Sequence, residues 1–156
     1  MIFRDYLFFS GKKVNLAPKT SRTVFAIILF VHGIGHIQGV ISSLGLFNND
    51  FWHPRSWLFD DLLGEKTSRI LALVLWGMSA IGFQAAAFSF LGVGISHEYW
   101  RTLAIITAVP SILGLIFYWN SMAMIFNKLG AIAVNAWILI GLLVLNWPTE
   151  ADLGFY

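Results

Sequence analysis

Four stretches of the chain are apolar almost without interruption: residues 23–47, 68–95, 100–119 and 124–147. Each reaches the roughly 20 residues that an α-helix needs to cross a bilayer. Lipid offers no partner to an unpaired backbone group, so helices are the expected form. The links between the second and third stretches, and between the third and fourth, are short, which makes these neighbours antiparallel. The pattern predicts an all-α fold, an integral membrane up-down four-helix bundle forming a single domain over residues 1–156.

The one long link, NNDFWHPRSWLFDDLLGEKTS, mixes Phe51, Trp52, Trp57, Leu58, Phe59, Leu62 and Leu63 with Asp60, Asp61 and Glu65. That alternation predicts a short amphipathic helix lying in the membrane interface between helices one and two, with Pro54 opening it. Trp52, Trp57, Trp100, Trp119 and Trp147 fall at span ends, as aromatic belts do. Pro110, in the middle of the third stretch, should kink its helix and free a carbonyl near Thr107. His53 with Asp60, Asp61 and Glu65 matches no metal spacing and reads as a solvated face, and His97-Glu98 reads as a loop and a helix start.

Composition sharpens the picture. The chain is 58% hydrophobic and 12% charged, whereas a soluble domain is about a quarter charged. It contains no cysteine, which removes thiolate metal sites, iron–sulfur clusters and Cys nucleophiles. A net charge of +2 with no basic patch argues against nucleic acid as a partner. Arg4, Lys12, Lys13, Lys19 and Arg22 precede the first stretch, which is too long for a signal-peptide core and lacks a small-x-small cleavage site; it is expected to stay as a first membrane helix. With Arg101 these residues outnumber Arg55, Lys66, Arg69 and Lys128 on the other side, which places both termini in the cytoplasm of a cell-membrane protein.

Polar side chains in the spans are few. In VHGIGHIQGV, His36 falls about 40° from His32 around a helix, and Gly39 and Ser43 fall within about 20° of His32. The histidines therefore share a stripe with small residues, where another helix can approach closely. His32 lies roughly 15 Å from the cytoplasmic end at about 1.5 Å per residue, near the midplane. Gln84, Ser111 and Asn135 on the other three helices come to about this level, so His32, His36, Gln84, Ser111 and Asn135 form the candidate binding cluster. Gln38 points elsewhere, towards lipid, and is expected to contact a partner chain.

Three readings of the cluster compete. The groups fix the bundle by hydrogen bonds between helices, at about 0.6 kcal/mol each. Alternatively they hold a metal or cofactor: His32 and His36, at i and i+4, are spaced to ligate one transition metal, and one of them alone would serve a singly His-ligated tetrapyrrole. Or they titrate, relaying protons or binding a small lipid-soluble substrate. No buried carboxylate, nucleophile–base pair or paired acids accompany them, which leaves hydrolase and transferase chemistry unsupported.

HGIGHIQGV resembles the first helix of a group of small prokaryotic four-helix membrane proteins with an HGxxHxxGF pattern, of DoxX-like layout. The stretch WNSMAMIFNKLGAIAVNAWILIGLL is also similar to that group; His32, Gly33, His36, Gly39, Gly130 and Asn135 are the matching positions. Val40 stands where Phe is usual, and the first link is longer and more acidic. The resemblance implies fold and location and no reaction. The expected role is a small membrane protein or accessory subunit whose cluster binds a metal or redox cofactor, in contact with the bilayer and with other membrane subunits or itself. The alternative is a non-catalytic scaffold subunit of a larger membrane complex.

Overall fold

The computed structural model describes residues 18–46 and 52–153. Over these the chain is helical: α1 (Pro18–Ser43), α2 (Phe59–Leu63), α3 (Glu65–Leu91), α4 (Trp100–Phe117) and α5 (Ile125–Leu139), the last continuing into a π turn at Ile140–Val144. Four segments, Thr20–Ser43, Glu65–Leu91, His97–Phe117 and Ile125–Val144, are long and apolar enough to cross a membrane.

The helix ends differ from the apolar pattern for local reasons. Pro18 opens α1 ahead of the apolar run, where its missing N–H would be unpaired in any case. α1 stops at Ser43, because Gly45 turns the chain at φ 74° and the Leu46 N–H returns to the Ile41 carbonyl at 3.1 Å; the expected end at Phe47 lies outside the described residues. α3 ends at Leu91, not Ile95, in a Schellman turn: Gly92 sits at φ 67°, and the Val93 N–H reaches the Phe88 carbonyl at 2.9 Å.

α3 is the central element. It meets α1 through pairs that run in opposite senses: Phe25 on Phe90 with ring centres 6.0 Å apart, Gly33 against Phe83, Gly39 against Trp76, and the Ser43 carbonyl with Arg69. It meets α4 in the same manner, through Phe90 on Trp100, Gly82 against Thr107, Gly114 against Trp76, and Tyr118 donating to the Ser68 carbonyl at 2.6 Å. Burial pushes the Tyr118 phenol up from its ordinary pKa, so it stays a donor. α5 is carried by α4. α1 and α5 meet chiefly at one end, where Phe25 packs on Trp137 and Trp147 with centres 4.8 and 5.6 Å away. Two apolar cores result. One gathers Phe25, Leu29, Phe90, Trp100, Ile138 and Leu153; the other gathers Trp52, Trp76, Leu115, Tyr118 and Met122.

The long link departs from expectation. Its helix is only five residues, Phe59–Leu63. Pro54 does not open it; Ser56 does, its Oγ accepting the N–H groups of Leu58 and Phe59 at 3.3 and 3.0 Å. Trp52 is not an interfacial belt residue but is buried against Trp76, with its strand-like bridge to Met122. Trp100 is buried as well. Phe51 lies outside the described residues.

The chain beyond α5 folds back over the bundle end, which the apolar pattern did not anticipate. Arg101 donates to the carbonyls of Pro148 and Leu142 at 2.9 and 3.2 Å and to Asn146 Oδ1 at 2.7 Å. The π turn frees carbonyls that a regular α-helix would occupy, and Arg101 takes one of them. Thr149 and Asp152 cap each other, Thr149 N–H to Asp152 Oδ2 at 2.9 Å and Asp152 N–H to Thr149 Oγ1 at 3.2 Å, and Leu153 is fully buried.

Candidate functional site

The glycines of VHGIGHIQGV divide by face. A Cβ on Gly33 would stand 2.8 Å from Gln84 Nε2, and one on Gly39 2.6 Å from Trp76 Cγ, so these two let α3 lie directly on α1. A Cβ on Gly35 would meet nothing within 4 Å. The close approach puts aromatic rings over the histidines. His36 is stacked between Trp76 and Phe83, with ring centres at 5.4 and 5.9 Å and planes within 19° and 14°. His32 meets His36 and Phe83 edge-on, at 4.8 and 4.6 Å.

A directed hydrogen-bond chain crosses the bundle between the two apolar cores. Asn135 Nδ2 donates to Ser111 Oγ at 2.8 Å and to the Ala131 carbonyl at 2.9 Å, and Ser111 Oγ lies 3.0 Å from His36 Nε2. Ser111 Oγ thus links the Asn135 amide to the His36 ring. His36, Ser111 and Asn135 are all buried. His32 is half-buried with its side chain within hydrogen-bond reach of Asn135, and His32 Nε2 and Asn135 Oδ1 are both shut off from the surface.

Gln84 does not join this chain. It reaches the expected level but turns to α1, donating to the Phe30 carbonyl at 3.0 Å with its Oε1 unpaired, and bonds neither histidine. Gln38 is exposed. Pro110 is buried inside α4, and Thr107 packs on Gly82 of α3. His97 holds the Phe90 carbonyl at 2.9 Å and Glu150 at 3.0 Å, a structural role at the bundle end. Lys128 sits over the Trp119 ring at 4.7 Å.

Where α1 and α5 diverge, a cleft of about 710 Å³ opens. Its mouth is formed by exposed Val31, Ile34 and Phe126, its walls include Trp76, Leu115 and Val134, and His32 and His36 line its floor. Gly35 and Gly130 face each other's helices across it, and a Cβ on Gly130 also meets nothing within 4 Å. Among the described residues no Asp, Glu, Lys or Arg lines the cleft. Sequence reasoning found the polar floor but not the opening above it.

His36 Nε2 is engaged with Ser111, so a metal ion shared by His32 and His36 would have to take His36 Nδ1, at about 2.0–2.1 Å. Among the described residues no group of three or more His, Cys, Asp or Glu could hold a metal.

Comparison with protein families, with curated proteins and with solved structures finds no match to the chain.

Proposed function

We propose that the chain is an integral membrane up-down four-helix bundle that takes a lipid-soluble small molecule from the bilayer into the cleft between α1 and α5. One observation carries this reading: a mostly apolar cleft of about 710 Å³, open at the side of two membrane-length helices, includes His32, His36, Gln38 and Asn127 in its lining. Polar side chains in such surroundings are costly when unpaired, and a ligand with a polar end would offset that cost. Ser111, itself held by Asn135, fixes the His36 ring. The ligand supplies whatever redox or signalling chemistry the protein serves.

Photolabelling with a long-chain alkyl diazirine tests it. Labels are expected to concentrate on α1 and α5 peptides that line the cleft. The double variant Gly35→Leu/Gly130→Leu adds bulk at two cleft-lining positions where a Cβ meets nothing within 4 Å and should lower that labelling several-fold while the helices remain folded. Labels spread evenly over all four apolar helices, and unchanged in the variant, would sink the proposal.

The Lys/Arg distribution favours both termini in the cytoplasm. Reporter fusions after residue 156 are expected to read cytoplasmic and fusions within residues 48–66 external; the opposite reading reverses the topology.

An accessory or scaffold role is the second reading, favoured by Gln38, an exposed amide at the cleft edge beside exposed Ile34 and Ile37. The chain has no cysteine, so Gln38→Cys is a unique crosslinking point. A crosslinked second subunit in native membranes is expected; exclusively monomeric protein contradicts this role.

A further inference from the structure

Outside the cleft, a recess of about 400 Å³ lies beside the start of α3, lined by Ser43 of α1 and by Glu65, Lys66, Arg69, Ile70 and Leu73. Glu65, Arg69 and Leu73 recur four residues apart and share one face of the helix, with Lys66 and Ile70 one position round. The face changes character along its length. Glu65, Lys66 and Arg69 stand in the first two turns of α3, and exposed Ile70 and half-buried Leu73 follow. At about 1.5 Å per residue the face spans roughly 12 Å. Charge at the helix end and apolar side chains deeper match the passage from headgroups to acyl chains at the edge of a bilayer. Arg69 is anchored, one terminal nitrogen donating to the Ser43 carbonyl at 3.2 Å where α1 ends. A guanidinium carries five N–H groups, so donors remain for a ligand. Glu65 and Arg69 have the spacing at which such residues pair on a helix, yet among the described residues Glu65, Lys66 and Arg69 form no ion pair.

The recess therefore presents two cations and one carboxylate above an apolar wall. A headgroup that answers all three carries both an anion and a cation. A phosphate accepts from Lys66 and Arg69, and a primary ammonium donates to Glu65. A choline headgroup has a cation with no N–H to donate, and a glycerol headgroup has no cation to set against Glu65. Resting on the reading of the chain as a membrane bundle, we infer that this recess holds a phospholipid whose headgroup joins a phosphate to a primary ammonium, as phosphatidylethanolamine does, with one acyl chain along Ile70 and Leu73. Glu65, Lys66 and Ile70 are exposed, so the recess is open and its lipid exchanges with the bilayer.

The test uses the full chain reconstituted into phosphatidylcholine vesicles with a trace of phospholipid that carries a diazirine in one acyl chain. Three such lipids are compared, with ethanolamine, choline or glycerol headgroups. Labelling of the peptide 65–73 should be roughly threefold higher with the ethanolamine lipid than with the other two, the scale of one exposed ion pair. Labelling of α4 around exposed Ile106 and Val109 should not depend on the headgroup. Glu65→Gln should remove the advantage over the glycerol lipid. Lys66→Gln, which leaves the Arg69 bond to Ser43 in place, should lower labelling of the peptide by all three. Glycerophosphoethanolamine, the same headgroup without chains, should not compete; competition by it overturns the lipid assignment. Equal labelling by the ethanolamine and choline lipids also overturns it, as does an advantage that survives in Glu65→Gln. A chain that stays in solution without detergent removes the membrane reading itself.

Discussion

Replacing Trp76 with alanine is expected to destabilise the bundle by about 3 kcal/mol or more, within the ~3–5 kcal/mol range for deleting a buried Trp. Trp76 is fully buried and lines the cleft beside His36. Its ring is clasped between two glycines of different helices: a Cβ would stand 2.6 Å from it on Gly39 of α1 and 2.8 Å from it on Gly114 of α4. It stacks on His36 at 5.4 Å and meets Trp52 and Tyr118 at 5.7 and 6.3 Å. In lipid the transfer part of the loss shrinks, because lipid tails are as apolar as the core, but the packing part remains, since no neighbour can close on the space. The indole also walls the cleft, so its removal should enlarge the cleft and release His36 from its stack. Denaturant-induced unfolding in mixed micelles, followed by circular dichroism, measures the change. A loss below about 1 kcal/mol would mean that α1, α3 and α4 do not converge on this ring as described.

Gly39→Leu should be nearly as damaging, and Gly35→Leu on the same helix should not be. Overpacking costs about 1–3 kcal/mol where neighbours can give way. Here the neighbour is Trp76, already held from the far side by Gly114, so the value should fall at the upper end or beyond. Gly35, four residues away on the cleft face, has room. There the exchange of glycine for leucine should be neutral or stabilising by up to about 1 kcal/mol through helix propensity. The same unfolding assay compares the two variants, and equal effects would contradict the assignment of their faces.

That contrast shows how far the sequence can be read. The four apolar stretches, the histidine stripe and the use of Gly39 for close approach are all periodicity arguments, and residues on one helix have a fixed relation to one another. Relations between helices are less legible. Ser111 and Asn135 could be assigned to the histidines' level by counting from the span ends, and Ser111 is found bonded there to His36 and Asn135 to Ser111. Gln84 shows the limit of counting: depth says nothing of azimuth, and its amide turns to the α1 backbone. Gly33, Gly35 and Gly39 look alike in sequence, and only the crossing of α1 with α3 and its divergence from α5 separates packing glycines from a cleft wall.

Trp52 misleads for a related reason. A tryptophan near a span end is expected at an interface, but the link folds inward and buries it on Trp76. The return of the tail had a readable signal: Thr149-x-x-Asp152 after Pro148 is a helix-start pattern, obscured because the apolar run ends at Trp147.

The central claim is that one lipid-soluble molecule sits in the α1–α5 cleft. Native mass spectrometry of the protein extracted from its own membranes in mild detergent tests it most directly. The account predicts a single small-molecule adduct per chain, lost in Gly35→Leu/Gly130→Leu. A chain that carries no adduct, or one whose adduct persists when the cleft is filled, would contradict it.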